Sequence, residues 1–161
     1  MPIPEFLASL RARVGHDLMV LPSVTACVFD DDGRLLMACH ESGVWAPPGG
    51  LIEPDERPAD ALVRELHEET GLTVEPLGII GVYGGPEFRV HYRNGDQTSY
   101  VITVYGCALV GGEIVPDGEE ISEARFMHEA ELADLRLPHW APVVLPEVFA
   151  WRDAWRDARR S

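Results

Sequence analysis

The segment that decides the fold runs from Gly50 to Leu72 and reads GLIEPDERPADALVRELHEETGL. Pro58 suits a first helical turn, and Gly71 suits the left-handed residue that closes a helix. Because successive helix residues are rotated by about 100°, the apolar side chains between Pro58 and Gly71 fall on one stripe of the helix. That stripe consists of Ala59, Leu62, Val63, Leu66 and Thr70. The segment therefore predicts a helix over residues 58–70 with one side facing the core.

Three glutamates of the same helix share a second arc. Glu65, Glu68 and Glu69 are spaced i, i+3 and i+4, which brings their carboxylates side by side. Like charges at this spacing cost about 0.2–0.5 kcal/mol per pair, and no lysine shares the arc within one turn. One interpretation is a solvated acidic face on an acidic protein. The other is a site for hard divalent cations, which take carboxylate oxygens as ligands.

Composition limits the classes of protein that the chain can belong to. Its 161 residues, 46% of them hydrophobic and 25% charged, predict one globular domain over 1–161. The net charge of −14 argues against binding to a nucleic-acid polymer. No apolar run long enough to cross a membrane and no signal peptide is evident. The odd number of cysteines, three, predicts free thiols in a reducing compartment, and hence a cytoplasmic protein.

The remaining patterns predict a layered α/β domain with a mixed sheet. Asn94-Gly95 is a strong turn signal between two of the strand-like runs. The predicted elements are a short helix at 3–14, a hairpin of strands 24–29 and 34–39, a Pro/Gly loop at 45–50, strands at 73–83, 88–92, 100–110 and 124–127, and helices at 129–135 and about 146–159.

The deciding segment also resembles a known family signature. Gly50, Glu56 and the run Arg64-Glu65-Leu66-His67-Glu68-Glu69-Thr70-Gly71-Leu72 match all nine fixed positions of the 23-residue Nudix box of the Nudix hydrolases. Pro48-Gly49 also fits, whereas Pro47 and Asp55 depart from the usual aliphatic residue and glycine. More loosely, Tyr92–Asp96 is similar to a loop of a bacterial subgroup often described as ADP-ribose pyrophosphatases, with Arg93 in place of a proline.

This resemblance implies a Nudix-type α/β/α sandwich and a metal-dependent hydrolase. The expected reaction cleaves the diphosphate linkage of a small nucleoside diphosphate derivative of the ADP-ribose or nucleotide-sugar type. Mg²⁺ is the expected ion, with Mn²⁺ as a substitute, and family members are often homodimers. The alternatives are a nucleoside triphosphate pyrophosphohydrolase for oxidised or non-standard nucleotides and a non-catalytic nucleotide-sensing module. A sensing module would be expected to lose box glutamates, all of which are present here.

By the same resemblance, the box residues divide into metal ligands and a structural ion pair. The implied metal ligands are the backbone carbonyl of Gly49 and the carboxylates of Glu65, Glu68 and Glu69. Glu56 and Arg64 are the implied ion pair, which orders the loop against the helix.

For the residue that activates water and for the residues that contact the substrate, several candidates remain. Glu68 or Glu69 would activate the water through a bound metal. Alternatively, Glu120 would do so from the acidic loop before the strand at 124–127. Glu119 and Glu123 are its neighbouring alternatives. The candidates for substrate contact are Trp45, Arg89 and Arg93, for which core packing or a surface position is the competing interpretation. Near the C-terminus, Trp151 and Trp155 predict an apolar ridge that packs on the domain or on a second subunit.

Overall fold

A computed structural model describes residues 3–161. The predicted domain begins at residue 1, and its first two residues lie outside the described part. In chain order, the elements are α1 (Glu5–Val14), β1 (Met19–Val28), β2 (Leu35–His40), β3 (Trp45–Ala46), β4 (Gly49–Leu51), α2 (Pro58–Thr70), β5 (Leu72–Tyr83), a 3₁₀ turn (Pro86–Phe88), β6 (Arg89–His91), β7 (Gln97–Gly112), β8 (Ile121–Met127), a 3₁₀ helix (Glu129–Asp134) and α3 (Ala141–Arg160).

The strands form two sheets. The larger has the order β4-β1-β7-β5, with β6 also paired to β7. Strands β1 and β7 run parallel over ten residue pairs, from Met19↔Thr98 to Val28↔Cys107, and the other pairings of this sheet are antiparallel. The smaller sheet is antiparallel with the order β3-β2-β8. The mixed sheet expected from the sequence is thus confirmed, and a second sheet accompanies it.

Successive side chains of β1 point to opposite faces, and both faces are buried. Ala26 and Val28 pack in a core cluster with Leu66 of α2. Cys27 packs in a second cluster with Val148 of α3. This explains why the sequence of β1 reads as a continuous apolar run rather than as an alternation. The strands therefore lie between α2 and α3, as in the expected α/β/α sandwich.

Three details of the sequence-based expectation were wrong. The runs at 24–29 and 34–39 share only the bridge Phe29↔Leu35, because β1 and β2 diverge into different sheets. The expected loop at 45–50 contains β3 and β4, which pair along the edges of the two sheets. The last helix begins at residue 141 rather than 146, because Pro142 occupies its first turn and Pro146 lies inside it.

The tryptophan ridge of α3 packs on the domain. Trp151 covers Gly106 of β7 so closely that an added Cβ on this glycine would overlap the indole ring. Trp155 stacks on Trp151 with ring centroids 5.9 Å apart. The contact with Gly106 helps to fix α3 on the sheet.

Replacing Gly106 with alanine should therefore lower the free energy of unfolding by about 1–3 kcal/mol, because the rigid indole must move. Gly111→Ala is the matched control, since it lies in the same strand and an added Cβ there meets nothing within 4 Å. Urea unfolding followed by circular dichroism would measure both. Equal stability of the two variants would contradict this packing.

Candidate active site

Helix α2 has the predicted limits, but its carboxylates are not equally exposed. Gly71 caps it in the left-handed conformation, with φ 77°, and donates its N–H to the carbonyl of His67 at 2.9 Å. Glu65 and Glu69 are only 2% and 4% exposed. The side chain of Glu68 is 56% exposed. The arc that looked uniformly polar in the sequence thus buries two of its three acids beside the core.

Strand β4 crosses directly over the two buried acids. The N–H of Gly49 donates to Oε2 of Glu69 at 3.3 Å. A Cβ on Gly50 would overlap the carboxylate of Glu65, and a Cβ on Gly49 would overlap the carbonyl of Val24. Both positions require glycine, because the backbone passes against the carboxylate of Glu65 at Gly50 and against β1 at Gly49.

Arg64 ties the loop before α2 to the helix. Its guanidinium donates to both oxygens of Glu56, at 2.6 and 2.9 Å, and to the carbonyl of Leu51 at 3.2 Å. The same group reaches Glu65 at 3.0 Å and Glu68 at 3.3 Å. The arc contains no lysine, but Arg64 next to it provides part of the positive charge that its carboxylates need.

The departure at Asp55 has a local explanation in this same loop. Asp55 has φ 66°, and it is the one non-glycine residue within 3–161 with positive φ. Glycine occupies such a conformation without strain, while aspartate tolerates it better than most other residues. The loop therefore keeps its shape without the usual glycine.

Burial dominates the electrostatics of the two inner acids. Together with the charges of Glu120 and Glu65, and against the N–H of Gly49, it raises the pKa of Glu69 to about 9. Burial also raises the pKa of Glu65 to about 7, although Arg64 opposes the shift. Hydrogen bonding from Arg64 instead lowers the pKa of Glu56. Too few positively charged groups therefore surround Glu65 and Glu69 to keep both ionised at neutral pH.

Glu120 approaches the inner acids from the loop before β8. The Oδ1 atom of Asp117 accepts the N–H groups of Glu119, Glu120 and Ile121 at 2.8–3.0 Å, which fixes the turn. The side chain of Glu120 is 20% exposed, and burial raises its pKa. Glu119 is exposed, and Glu123 faces Arg125 at 3.5 Å on the strand. Of the three acidic candidates in this region, Glu120 is the one that the structure brings to Glu69.

The acids fit a divalent cation in one specific respect. Oε2 of Glu65 is buried, and no donor from residues 3–161 bonds to it. A buried acceptor without a partner is costly, and a cation satisfies it. Within the same residues, no group of three or more His, Cys, Asp or Glu side chains forms a ready-made metal cage. Mg²⁺ does not require such a cage, since it usually binds one or two carboxylates and keeps several waters.

A cleft of about 500 Å³ opens beside these residues. Gly49, Gly50, Glu41 and Glu120 line the part that we call its acidic end, and the rest of the lining mixes apolar and aromatic side chains with polar ones such as Arg11, Asn94 and Asp96. His40 also lines the acidic end, and its Nδ1 lies 3.3 Å from the backbone N–H of Ser42, which donates to it. Its Nε2 lies 3.9 Å from Oε1 of Glu120. The volume suits a ligand of nucleotide size.

The three residues considered for substrate contact do not line this cleft. Trp45 is 9% exposed and packs in the core, with the guanidinium of Arg125 5.2 Å from its ring centroid. Arg89 and Arg93 are exposed elsewhere on the surface. Core packing therefore describes Trp45, and a surface position describes Arg89 and Arg93.

The cleft residues that were missed from the sequence include Arg11 and His40. Arg11 lies on the short helix predicted at 3–14, and His40 ends β2 without metal-ligand spacing to other histidines. Both reach the cleft only through tertiary packing. No local signal distinguishes them from other surface arginines and histidines.

Comparisons with known proteins agree with this geometry. Residues 19–148 match the model of the NUDIX domain. The chain is 28% identical to the ADP-ribose pyrophosphatase of Methanocaldococcus jannaschii over 131 residues, or 78% of this chain and 72% of that protein. It is also 28% identical to a putative 8-oxo-dGTP diphosphatase of Bacillus subtilis over 105 residues, or 65% of this chain and 64% of that protein.

A solved structure shares the fold. The crystal structure of a UDP-X diphosphatase superposes with a TM-score of 0.66 at 20% identity, covering 97% of this chain and 73% of that chain. None of the helices within residues 3–161 combines the length and the hydrophobicity of a bilayer-spanning helix. The family match extends over most of the sequence and includes the whole segment around the buried acids. The chain therefore belongs to the NUDIX family and is a hydrolase of that family.

Proposed function

We propose that this hydrolase cleaves the diphosphate linkage of a small nucleoside diphosphate derivative of the ADP-ribose or nucleotide-sugar type, with Mg²⁺ as its ion and Mn²⁺ as a substitute. The observation that carries the proposal is the pair of buried acids, Glu65 and Glu69, which contact the glycines that line the acidic end of a nucleotide-sized cleft. The similarity to an archaeal ADP-ribose pyrophosphatase supports this choice of substrate.

The acids of α2 would hold the ion. Glu65, Glu68 and Glu69 would supply carboxylate oxygens, and the carbonyl of Gly49 would add a backbone oxygen from β4. The bound ion would neutralise phosphate charge and make a bound water more acidic. Arg64, held by Glu56, would keep the loop fixed against the helix. The net charge of −14 makes this role of a cation necessary, because the protein alone would repel a diphosphate.

Glu120 is the best-placed residue to receive the proton of the attacking water. It lies at the acidic end of the cleft, and its raised pKa makes it a better base than an exposed glutamate. Water would attack one phosphorus, the bond to the bridging oxygen would break, and a phosphorylated fragment would leave. Glu68 and Glu69 are the alternatives for activating this water.

The proposal also includes the setting of the reaction. The acidic surface favours a free small molecule over a nucleic-acid polymer as the partner. Free cysteines at positions 27, 39 and 107 favour a reducing compartment, such as the cytoplasm. A homodimer is the oligomeric form to test, by analytical ultracentrifugation.

A second candidate substrate is an oxidised or non-standard nucleoside triphosphate. The similarity to the Bacillus subtilis protein named for 8-oxo-dGTP favours it. Both candidates place a phosphate chain at the acidic end of the cleft. They differ in which phosphorus is attacked and in the fragment that leaves.

Product analysis with Mg²⁺ or Mn²⁺ should separate the two candidates. ADP-ribose should yield two monophosphates, whereas a triphosphate should yield a monophosphate and inorganic diphosphate. Chromatography of both reactions, with a chelator control, is the measurement. Turnover that persists in the chelator would contradict metal dependence, and preferred turnover of the triphosphate would transfer the assignment to the second candidate.

Replacing Glu69 with glutamine should reduce turnover by roughly 10²-fold or more, because a ligand to the ion is lost beside the reacting phosphate. The fold should remain intact, since glutamine matches the size of glutamate and is neutral at this buried position. Glu75→Gln provides the same chemical change at an exposed site of β5 and should leave turnover unaltered. Steady-state kinetics and thermal melting of both variants test this, and full activity of Glu69→Gln would exclude the residue from the site.

A further inference from the structure

The larger sheet has an apolar face that helix α2 covers only in part. Ala26 and Tyr105 lie on this face and pack in the core cluster with Leu66 of α2. Nearer the beginning of β7, apolar side chains of the same face are exposed instead. We call them the sheet patch, and they are Val20 and Pro22 of β1, Ile79 and Val82 of β5, and Val101 of β7.

The strand register places the members of the sheet patch on one surface. Each patch residue of β1 or β5 pairs with an odd-numbered residue of β7. The pairs are Val20↔Ser99, Pro22↔Val101, Val82↔Thr103 and Ile79↔Tyr105. Directly paired side chains share a face of a sheet, and so do residues two apart along one strand. The sheet patch therefore extends across three adjacent strands.

The sheet patch lies on the opposite face from the cleft. The cleft uses the alternate positions of β7, namely Thr98, Tyr100 and Ile102. In the patch, Val20 and Val82 are 67% and 62% exposed. Single apolar residues on a surface are ordinary, but a contiguous apolar patch on neighbouring strands is typical of a protein–protein contact.

A cation borders the sheet patch at one edge. Arg89 of β6 pairs with Ser99, which puts it on the same face as the patch and across β7 from Val20. Its side chain is exposed, and it lines a small groove with Gly85 and Pro86. This edge can therefore accept an acidic side chain.

Acids border the sheet patch at the opposite edge. The N–H of Ile52 donates to the carbonyl of Pro22 at 3.2 Å, which holds the loop before α2 beside β1. Glu53 and Asp55 of this loop are exposed. The apolar patch thus has positive charge on one side and negative charge on the other. Such a surface is complementary to itself once its two edges are exchanged.

We propose that the sheet patch is the interface of a homodimer, and that its occupant is the same patch of a second copy of this chain. With the two-fold axis parallel to the strands, Arg89 of one copy faces Glu53 and Asp55 of the other. The apolar side chains then meet as in the packing of two sheets. A net charge of −14 opposes self-association, and a contact without central acids minimises that repulsion. The inference rests on the proposed function only for the homodimer, whose contact surface it names.

Analytical ultracentrifugation without substrate or metal tests this interface. The wild-type protein should sediment with twice the 17.8 kDa mass of one chain. Val82→Lys should raise the dissociation constant of the dimer by about 10²-fold or more, because symmetry buries two unpaired ammonium groups in an apolar contact. Val110→Lys is the matched control and should leave the dimer unchanged, since Val110 is 63% exposed near the far end of β7, outside the patch.

A pair of charge reversals tests the edges of the interface. Arg89→Glu should weaken the dimer about tenfold, because it sets like charges against each other. Arg93→Glu changes the net charge equally at an exposed position of the turn after β6 and should weaken the dimer by less than about threefold. A wild-type monomer at high micromolar concentration, a dimer that survives Val82→Lys, or equal effects of the two arginine variants would each overturn the proposal. Because no turnover is measured, failure of the proposed reaction would leave this result interpretable.

Discussion

The burial of two carboxylates on one helix is the constraint on which the rest of this structure depends. Glu65 and Glu69 lie beside the leucines that anchor α2 in the core, where an ionised group without partners is strongly unfavourable. The chain provides Arg64 and one backbone N–H as partial compensation. What is still missing is positive charge. A divalent cation supplies it, and the same cation makes an acidic protein attractive to a diphosphate.

The fold provides this arrangement at the junction of its two sheets. The glycines of β4 allow the backbone to cover the acids, and the loop held by Asp117 brings Glu120 from the smaller sheet. The cleft therefore draws its lining from both sheets and from α1. Helix α3, fixed on Gly106, contributes Trp140 next to its first residue.

Much of this was accessible from the sequence, because local rules control the relevant segment. The periodicity, Pro58 and Gly71 predicted α2 with its observed limits. The depth of burial of Glu65 and Glu69 was not predicted, because β4 covers them from a different part of the chain. The separation of β1 from β2 was also missed, since their turn resembles an ordinary hairpin. Arg11 and His40 join the cleft through long-range packing, which no local pattern encodes.

The stability of the metal-free protein, measured by urea unfolding with and without Mg²⁺, tests the central claim most directly. The pKa values of Glu65 and Glu69, about 7 and 9, lie above those of an unfolded chain. The folded state therefore binds more protons, and stability present near pH 4.5 should be lost as the pH rises through 7 and toward 9. Mg²⁺ should restore stability, more at pH 9 than at pH 6, because it binds the deprotonated acids. The account is contradicted if Mg²⁺ fails to stabilise the protein, or if it stabilises a variant with glutamine at both positions equally well.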